Sequence, residues 1–240
     1  AGNDDIRGYE GNDIMYGGEG DDEFYDVAYG SGNDIYYGEG GDDTVNALSG
    51  LNTIYGGTGN DDLRGGSDAD TIYGDADNDI LKGNGGNDVL EGGDGDDDLR
   101  GGDDNDTLYG GDDVNYDSLY GDGGDDILYG GAGNDRLTGG SGADTFVFES
   151  SVSLNGNDTI YDFSTGDGDV LDISDMLSAY DPMSNVLTDF VQITDNGTHS
   201  YLKVDEDGGA DSFVQVAWIV SVTGLTDEDA LVTSGNLIAA

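Results

Sequence analysis

The stretch GGNDVLEGGDGDDDLRGGDDNDTLYGGDD, residues 85–113, is built almost wholly of glycine and aspartate, with Leu90, Leu99 and Leu108 spaced nine apart. Its composition argues against a fold, and its spacing argues for one. Outward from it, the 240-residue chain carries 54 acidic residues against six Lys and Arg, a formal charge of −48, and 45 glycines. So much self-repulsion with so little apolar surface leaves a chain disordered unless something neutralises the charge. Nucleic acid and anionic membranes are repelled by such a surface. The counter-charge is therefore a metal cation, a basic partner or the interior of a transport machine.

Cysteine is absent, so neither disulfides nor thiolate metal sites are available. No apolar run reaches membrane-spanning length, which predicts no membrane insertion. The chain opens at Ala1 in mid-pattern, without Met or a charged-then-apolar leader, and this predicts a piece of a longer protein whose export signal lies elsewhere.

Laid out by nines with two small insertions, residues 1–147 form sixteen units of the pattern G-G-x-G-x-D-x-U-x, where U is a large apolar residue. The sixth position is Asp4, Asp13, Asp22, Asp34, Asp43, Asp61, Asp70, Asp79, Asp88, Asp97, Asp106, Asp117, Asp126, Asp135 and Asp144, with Asn52 the one departure. Two places on stand Ile6, Met15, Phe24, Tyr36, Val45, Ile54, Leu63, Ile72, Leu81, Leu90, Leu99, Leu108, Leu119, Leu128, Leu137 and Phe146. A glycine-rich hexapeptide turns, because glycine accepts left-handed backbone angles and lets carbonyls converge. The next three residues make a short strand whose middle side chain points inward. Two units complete a coil, so stacking places the Asp of one unit about 4.8 Å from that of the unit two later. Bare carboxylates resist that spacing, whereas a shared hard cation with oxygen ligands relieves them. Asp and Gly favour turns in any sequence, which accounts for the composition but not for one residue type at every ninth place.

The units resemble the RTX nonapeptide family, whose repeat is a calcium-binding parallel β-helix signature. The resemblance implies an all-β fold: a parallel β-roll over residues 1–147, followed by a β-rich C-terminal cap and secretion region over 148–240. It also implies Ca2+ at the sixth-position Asp residues. Sixteen units leave fourteen gaps between a unit and the one two later, and up to about fourteen Ca2+ would move the formal charge from −48 towards about −20. The columns should have gaps. Unit six, ALSGLNTIY, lacks its leading glycines and its Asp, and unit four carries the inserted Asp26-Val27-Ala28, so the even column should be weak around Asn52. The inserted Asn115-Tyr116 should distort one turn before Asp117.

Consecutive strands fall on opposite sheets, so odd and even units present different outer faces. The even face carries a β-branched column beside a tyrosine column of Tyr16, Tyr37, Tyr55, Tyr73, Tyr109 and Tyr129, interrupted by Glu91. The odd face holds five of the six basic residues, Arg7, Arg64, Lys82, Arg100 and Arg136, among acids that can pair with them. Strand propensity and ring stacking alone account for the tyrosines. A continuous aromatic strip is equally the signature of a contact surface, for a polysaccharide, a second chain or a neighbouring domain.

After GGSGADTFVF, residues 139–148, ordinary strand patterns replace the nine-residue beat. NDTIYDF, DVLDIS, FVQIT, SYLKVD and SFVQVAWIV read as strands, and SDML at 174 and TDEDALV at 226 as short helices, the second opened by a Thr226 to Asp229 capping box. Such a unit can cover the open apolar end of the coils. The run NDTIYDFSTGDGDVLDISDML and the ending SGNLIAA also resemble the C-terminal target region of substrates of bacterial type I secretion. That likeness implies the type I secretion machinery as partner and an extracellular or cell-surface location. Asp162, Asp169 and Asp172 surround a Gly-rich turn and could hold one further calcium, or be a solvated loop. DEDGGAD at 205 reads as a turn, His199 as a surface strand residue, and Trp218, alternating with Val214 and Val216, as core.

Three classes of function remain. The leading one is a calcium-folded secretion module of a large exported protein such as an adhesin. The second is a polysaccharide- or partner-binding module of a secreted enzyme, using the even face. Catalysis comes third: there is no Cys, one isolated His, and only shallow surface, so no catalytic residue is assigned and the chain is expected not to be an enzyme.

Overall fold

A computed structural model describes residues 1–26, 32–149, 156–177, 187–205, 213–223, 225, 231–232 and 235–239. Each of the sixteen units supplies one strand, the odd ones from Asp5–Arg7 to Arg136–Ser141 and the even ones from Ile14–Glu19 to Thr145–Val147. Two units make one coil, so odd strands pair with odd and even with even, all in parallel. Register holds unit on unit: Leu63 lies beside Leu81 and Leu81 beside Leu99, while Ile54 lies beside Ile72 and Ile72 beside Leu90.

Because the middle residue of a three-residue strand points to one face, every U side chain enters the space between the sheets. From Met15 to Phe146 all of them are buried, and only Ile6 in the first coil is half-buried. Burial of such a side chain contributes about 1.5–3 kcal/mol.

The sheets continue past Val147. Asp158–Ile160 pairs in parallel with Arg136–Ser141, and Val170–Asp172 with Thr145–Val147, which carries the inward column on through Ile160 and Leu171. Val214–Ile219 then joins Asp158–Ile160, and Leu237–Ile238 joins Val170–Asp172, again in parallel. Ser200–Val204 and Val191–Asp195 extend the odd sheet antiparallel, giving sheets of twelve and ten strands among the described residues. Residue 147 therefore marks the end of the nine-residue spacing and not the end of the sheets, and the C-terminal apolar residues share one buried cluster with the roll.

SDML forms the 3-10 helix Ser174–Leu177 and buries Met176 and Leu177. Leu231 and Val232 are helical, while Thr226 and Asp229 of the expected capping box, and most of DEDGGAD, lie outside the described residues. Trp218 is a correction. It is 43 % exposed, while Val216, Ala217 and Ile219 are buried. Leu202 opposes Ala217 but Lys203 opposes Gln215, so Val216 is an extra residue, and the bulge flips the inward parity of everything after it. Trp218 packs edge-on against Tyr201 instead, with centroids 5.6 Å apart. His199 is part-exposed, its Nδ1 accepting the Ser221 N–H at 2.9 Å. No described helix is long and apolar enough to cross a membrane.

If the inward column carries the packing energy, Leu99→Ala should destabilise the folded chain by about 2–5 kcal/mol, and Ile6→Ala by clearly less. Denaturant midpoints under one folding condition compare them, and equal losses would show that the two positions are packed alike.

Candidate metal centres

The turns on both sides of the roll carry a ladder of sixth-position carboxylates. In each rung one oxygen, Oδ1, accepts the backbone N–H of the sixth-position residue one coil earlier. In the odd column Asp43 N–H reaches Asp61 at 2.7 Å, Asp61 N–H reaches Asp79 at 2.8 Å and Asp79 N–H reaches Asp97 at 2.8 Å. In the even column Asp70 N–H reaches Asp88, and Asp88 N–H reaches Asp106, both at 2.7 Å. Asp4 and Asp13, in the first coil, are not fully buried; every later Asp from Asp22 to Asp144 is at most 3 % exposed.

The second oxygen is different. In Asp22, Asp43, Asp61, Asp70, Asp79, Asp88, Asp97, Asp106, Asp117, Asp126 and Asp135, Oδ2 is buried without a hydrogen-bond partner. It faces the first glycine of its own unit. A Cβ on Gly56 would collide with Asp61 Oδ2 and lie 2.7 Å from the Gly74 carbonyl one coil on; Gly92 has the same relation to Asp97 and, at 2.7 Å, to the Gly110 carbonyl. Glycine is needed there because any side chain would fill the space where carboxylate and carbonyl oxygens converge. An unpaired buried carboxylate is too costly to leave uncompensated. A cradle of hard oxygens without nitrogen or sulfur suits Ca2+, whose flexible coordination tolerates carbonyls, better than the strict octahedron of Mg2+. Among the described residues no three acidic, His or Cys side chains gather at one point, so these cradles depend on backbone carbonyls as much as on carboxylates.

Electrostatics of the ladder agree. Burial pushes Asp43, Asp70, Asp97 and Asp126 up to about 6. It takes Asp61, Asp106 and Asp144 to about 7, and Asp79, Asp88 and Asp117 to about 8. At most of these, neighbouring carboxylates add to the rise, while the backbone N–H on Oδ1 opposes it.

The gap expected at Asn52 has a definite form. Its Oδ1 still accepts Asp34 N–H at 3.0 Å, but its Nδ2 donates to the Gly50 carbonyl at 3.0 Å and the Ser49 carbonyl at 3.4 Å. An amide stands where the free oxygen would be. Ala47, buried in the place of the first glycine, brings a methyl to the same cradle. Around Asn115 and Tyr116 the turn bulges outward, leaving Val114 71 % exposed, yet Asp117 still accepts Asp97 N–H at 2.9 Å and keeps its rung.

Asp162, Asp169 and Asp172 do not form one site. Asp162 caps the Gly139 and Gly140 N–H groups at 3.0 and 2.8 Å, and Asp172 accepts Ser174 N–H at 3.0 Å. Asp169 accepts Asp144 N–H at 3.1 Å and so continues the even ladder, its other oxygen taking Ser164 N–H at 2.7 Å. Asp158 extends the odd ladder in the same way by accepting Asp135 N–H at 3.1 Å. Sequence reasoning missed Asp158. It also missed a second ladder at the fifth position, where Asn60 N–H reaches Asp42 at 2.9 Å, Asn78 N–H reaches Asn60 at 3.1 Å and Asp96 N–H reaches Asn78 at 2.8 Å. The recurring Asn and Asp just before the sixth position was its signal.

On the outer faces, Arg7, Arg64 and Arg100 each pair with the Asp two residues earlier on the same strand, at 2.7, 2.7 and 3.0 Å. Such exposed pairs contribute little. Tyr16, Tyr37, Tyr55 and Tyr73 stack in sequence with centroids 4.9 to 5.0 Å apart, and Tyr109 on Tyr129 at 4.5 Å. Glu91 lies between the two stacks, beside Tyr73 and Tyr109. A cavity of about 440 Å³ opens there, lined by Glu91, Asp94, Tyr109, Asp112, Tyr129 and Glu149.

A family model described as the RTX calcium-binding nonapeptide repeat (4 copies) matches residues 1–25, 29–63, 46–81, 55–90, 82–116 and 117–146. No curated protein matches the chain. Among solved structures, the solution structure of the AlgE6R3 subunit from the Azotobacter vinelandii mannuronan C5-epimerase is 30% identical, over 70% of this chain and 80% of that one, with a TM-score of 0.37.

The raised carboxylates fix a pH dependence. A carboxyl whose folded value lies above its ordinary 3.8 supports the metal-free fold fully below that value and loses the support as pH rises through about 6 to 8. In chelator, the chain should therefore gain β signal in circular dichroism on acidification from pH 8 towards 4. Millimolar calcium should produce the same gain at pH 7.5, and calcium affinity should fall as pH drops through that window. Loss of structure on acidifying the chelated chain would contradict the assignment.

Proposed function

Because this chain belongs to the RTX calcium-binding nonapeptide repeat family, we propose that it is a calcium-folded export module of a large secreted bacterial protein, with a surface adhesin as the parent. The observation that carries this reading is the row of eleven buried carboxylate oxygens without hydrogen-bond partners. Once those carboxyls ionise, as pH rises through about 6 to 8, the fold depends on calcium to neutralise them. In calcium-poor cytosol the −48 chain stays extended and able to thread a narrow channel; outside the cell calcium neutralises the ladder, and folding is coupled to binding. Residues 148–240, with the run NDTIYDFSTGDGDVLDISDML and the ending SGNLIAA, supply the part read by the type I secretion machinery. In this reading the chain acts by folding and binding, in an extracellular setting, and not by catalysis.

A second reading is favoured by the cavity at Glu91 and the rigid stacks on either side of it. The even face would then hold a polysaccharide or a neighbouring domain, since rigid aromatics offer contact area at low entropy cost.

Fusing residues 148–240 to a passenger should permit type I export, and a chain ending at Val147 should stay inside; normal export of that shortened chain refutes the assignment. For the second reading, Tyr55→Ser with Tyr73→Ser should reduce glycan binding or self-association while calcium-dependent circular dichroism survives. Loss of folding alongside binding would make the stacks purely structural.

A further inference from the structure

We infer that Asp135 and Asp158 form a two-carboxylate calcium site that latches the C-terminal strands onto the roll. This rests on the calcium-folding reading above and adds a position outside the matched repeats, which end at residue 146. Each cradle described so far combines one carboxylate oxygen with a carbonyl from the next coil, as at Gly56, Gly74 and Gly92. At Gly130 the nearest atoms are different: a Cβ there would lie 3.0 Å from Asp135 Oδ2 and 3.4 Å from Asp158 Oδ2. Two carboxylates face one cradle.

A proton shared between the two carboxyls would also relieve the pair, and a cation competes with it. Asp135 is 0 % exposed and its Oδ2 has no hydrogen-bond partner, while its Oδ1 accepts Asp117 N–H at 3.0 Å. Asp158 is 3 % exposed and uses Oδ1 on Asp135 N–H at 3.1 Å. With both Oδ1 atoms clasped to the backbone, both Oδ2 atoms lie at the space before Gly130. Two like charges so close in a low-dielectric interior repel strongly, and a divalent cation with two carboxylate ligands converts that repulsion into attraction.

The latch sits where the sheet is weakest. Within the roll, Asp98–Asp103 and Ser118–Gly123 share five register pairs, from Asp98 with Ser118 to Asp103 with Gly123. At the junction only Arg136 with Thr159 and Leu137 with Ile160 are paired. From that short strand hang Val214–Ile219 and then the two antiparallel strands. Trp218, the one tryptophan, lies directly beside Thr159 and reports on the junction.

The chain itself supplies controls for two substitutions. Asn52 keeps the backbone clasp without the free oxygen, so Asp158→Asn is compatible with the ladder. Ala47 occupies a first-glycine position, so Gly130→Ala is compatible with the turn. In the full chain, calcium titrations followed by circular dichroism and by Trp218 fluorescence should coincide. In Asp158→Asn and in Gly130→Ala the circular dichroism transition should remain. The fluorescence transition should move to at least about tenfold higher calcium, and calorimetry should count one ion fewer than in the unsubstituted chain. An unchanged ion count with coincident transitions would mean that the two acids share a proton, and would overturn the latch. No circular dichroism transition in the unsubstituted chain would instead remove the calcium-folding reading itself. If the variants do not fold, anomalous diffraction from calcium-grown crystals of the unsubstituted chain decides. A peak between the two Oδ2 atoms supports the site; peaks beside Asp61 and Asp79 with none at Asp158 overturn it.

Discussion

From Asp43 to Asp135 the sixth-position aspartates use their two oxygens for two different tasks, and the rest of the roll depends on that division. Oδ1 clasps the N–H of the coil before, which fixes the register between coils; Oδ2 is pushed into a cradle that only a first-position glycine leaves open. Asn52 separates the two tasks within the same molecule. It keeps the clasp on Asp34 N–H and closes the cradle with its own amide, helped by the Ala47 methyl. Aspartate is therefore needed at the other rungs for charge, not for the hydrogen bond that builds the stack.

Charge and packing then become one problem. Only one large apolar side chain per nine residues enters the core, too few to order the eight that accompany it on hydrophobic burial alone. The parallel ladder and the two polar side-chain ladders order the turns. They also bring carboxylates into contact and out of water, which raises their proton affinity. Removing the charges with protons or balancing them with cations are the two ways to keep the same backbone, and the first fails as pH rises through about 6 to 8.

Much of this was legible in the sequence because the period is rigid. A nine-residue beat with an invariant apolar position and a nearly invariant Asp leaves one arrangement of coils, so the two sheets, the inward column and the stacked tyrosines follow directly. Asp158 was invisible because it accepts from a residue 23 positions earlier, where the ladder within the repeats steps by 18 to 21. Asp169, at 25 positions, was noticed only as part of a loop. Trp218 was misplaced for a different reason: alternation predicts a face only while the strand stays regular, and one extra residue at Val216 exchanges inside for outside. The fifth-position Asn and Asp residues were in plain view, but turn chemistry explained them without requiring a ladder.

The two polar ladders run in opposite directions, and this shapes how order spreads. At the sixth position an earlier N–H reaches a later side chain, and at the fifth a later N–H reaches an earlier one. Every coil is stitched to both neighbours, so a formed coil templates growth on either side, as in a nearest-neighbour stack. At Asn52 the even column keeps both clasps, accepting Asp34 N–H and donating its own N–H to Asp70, but it loses a carboxylate, and the fifth-position residues Leu51 and Ala69 offer no side-chain acceptor. The odd column runs through the same height with Asp43, Asp61 and Asp79 intact. Backbone order crosses this height on both sides of the roll, but only the odd column carries its carboxylates through it without a break, and that row ends at Asp158.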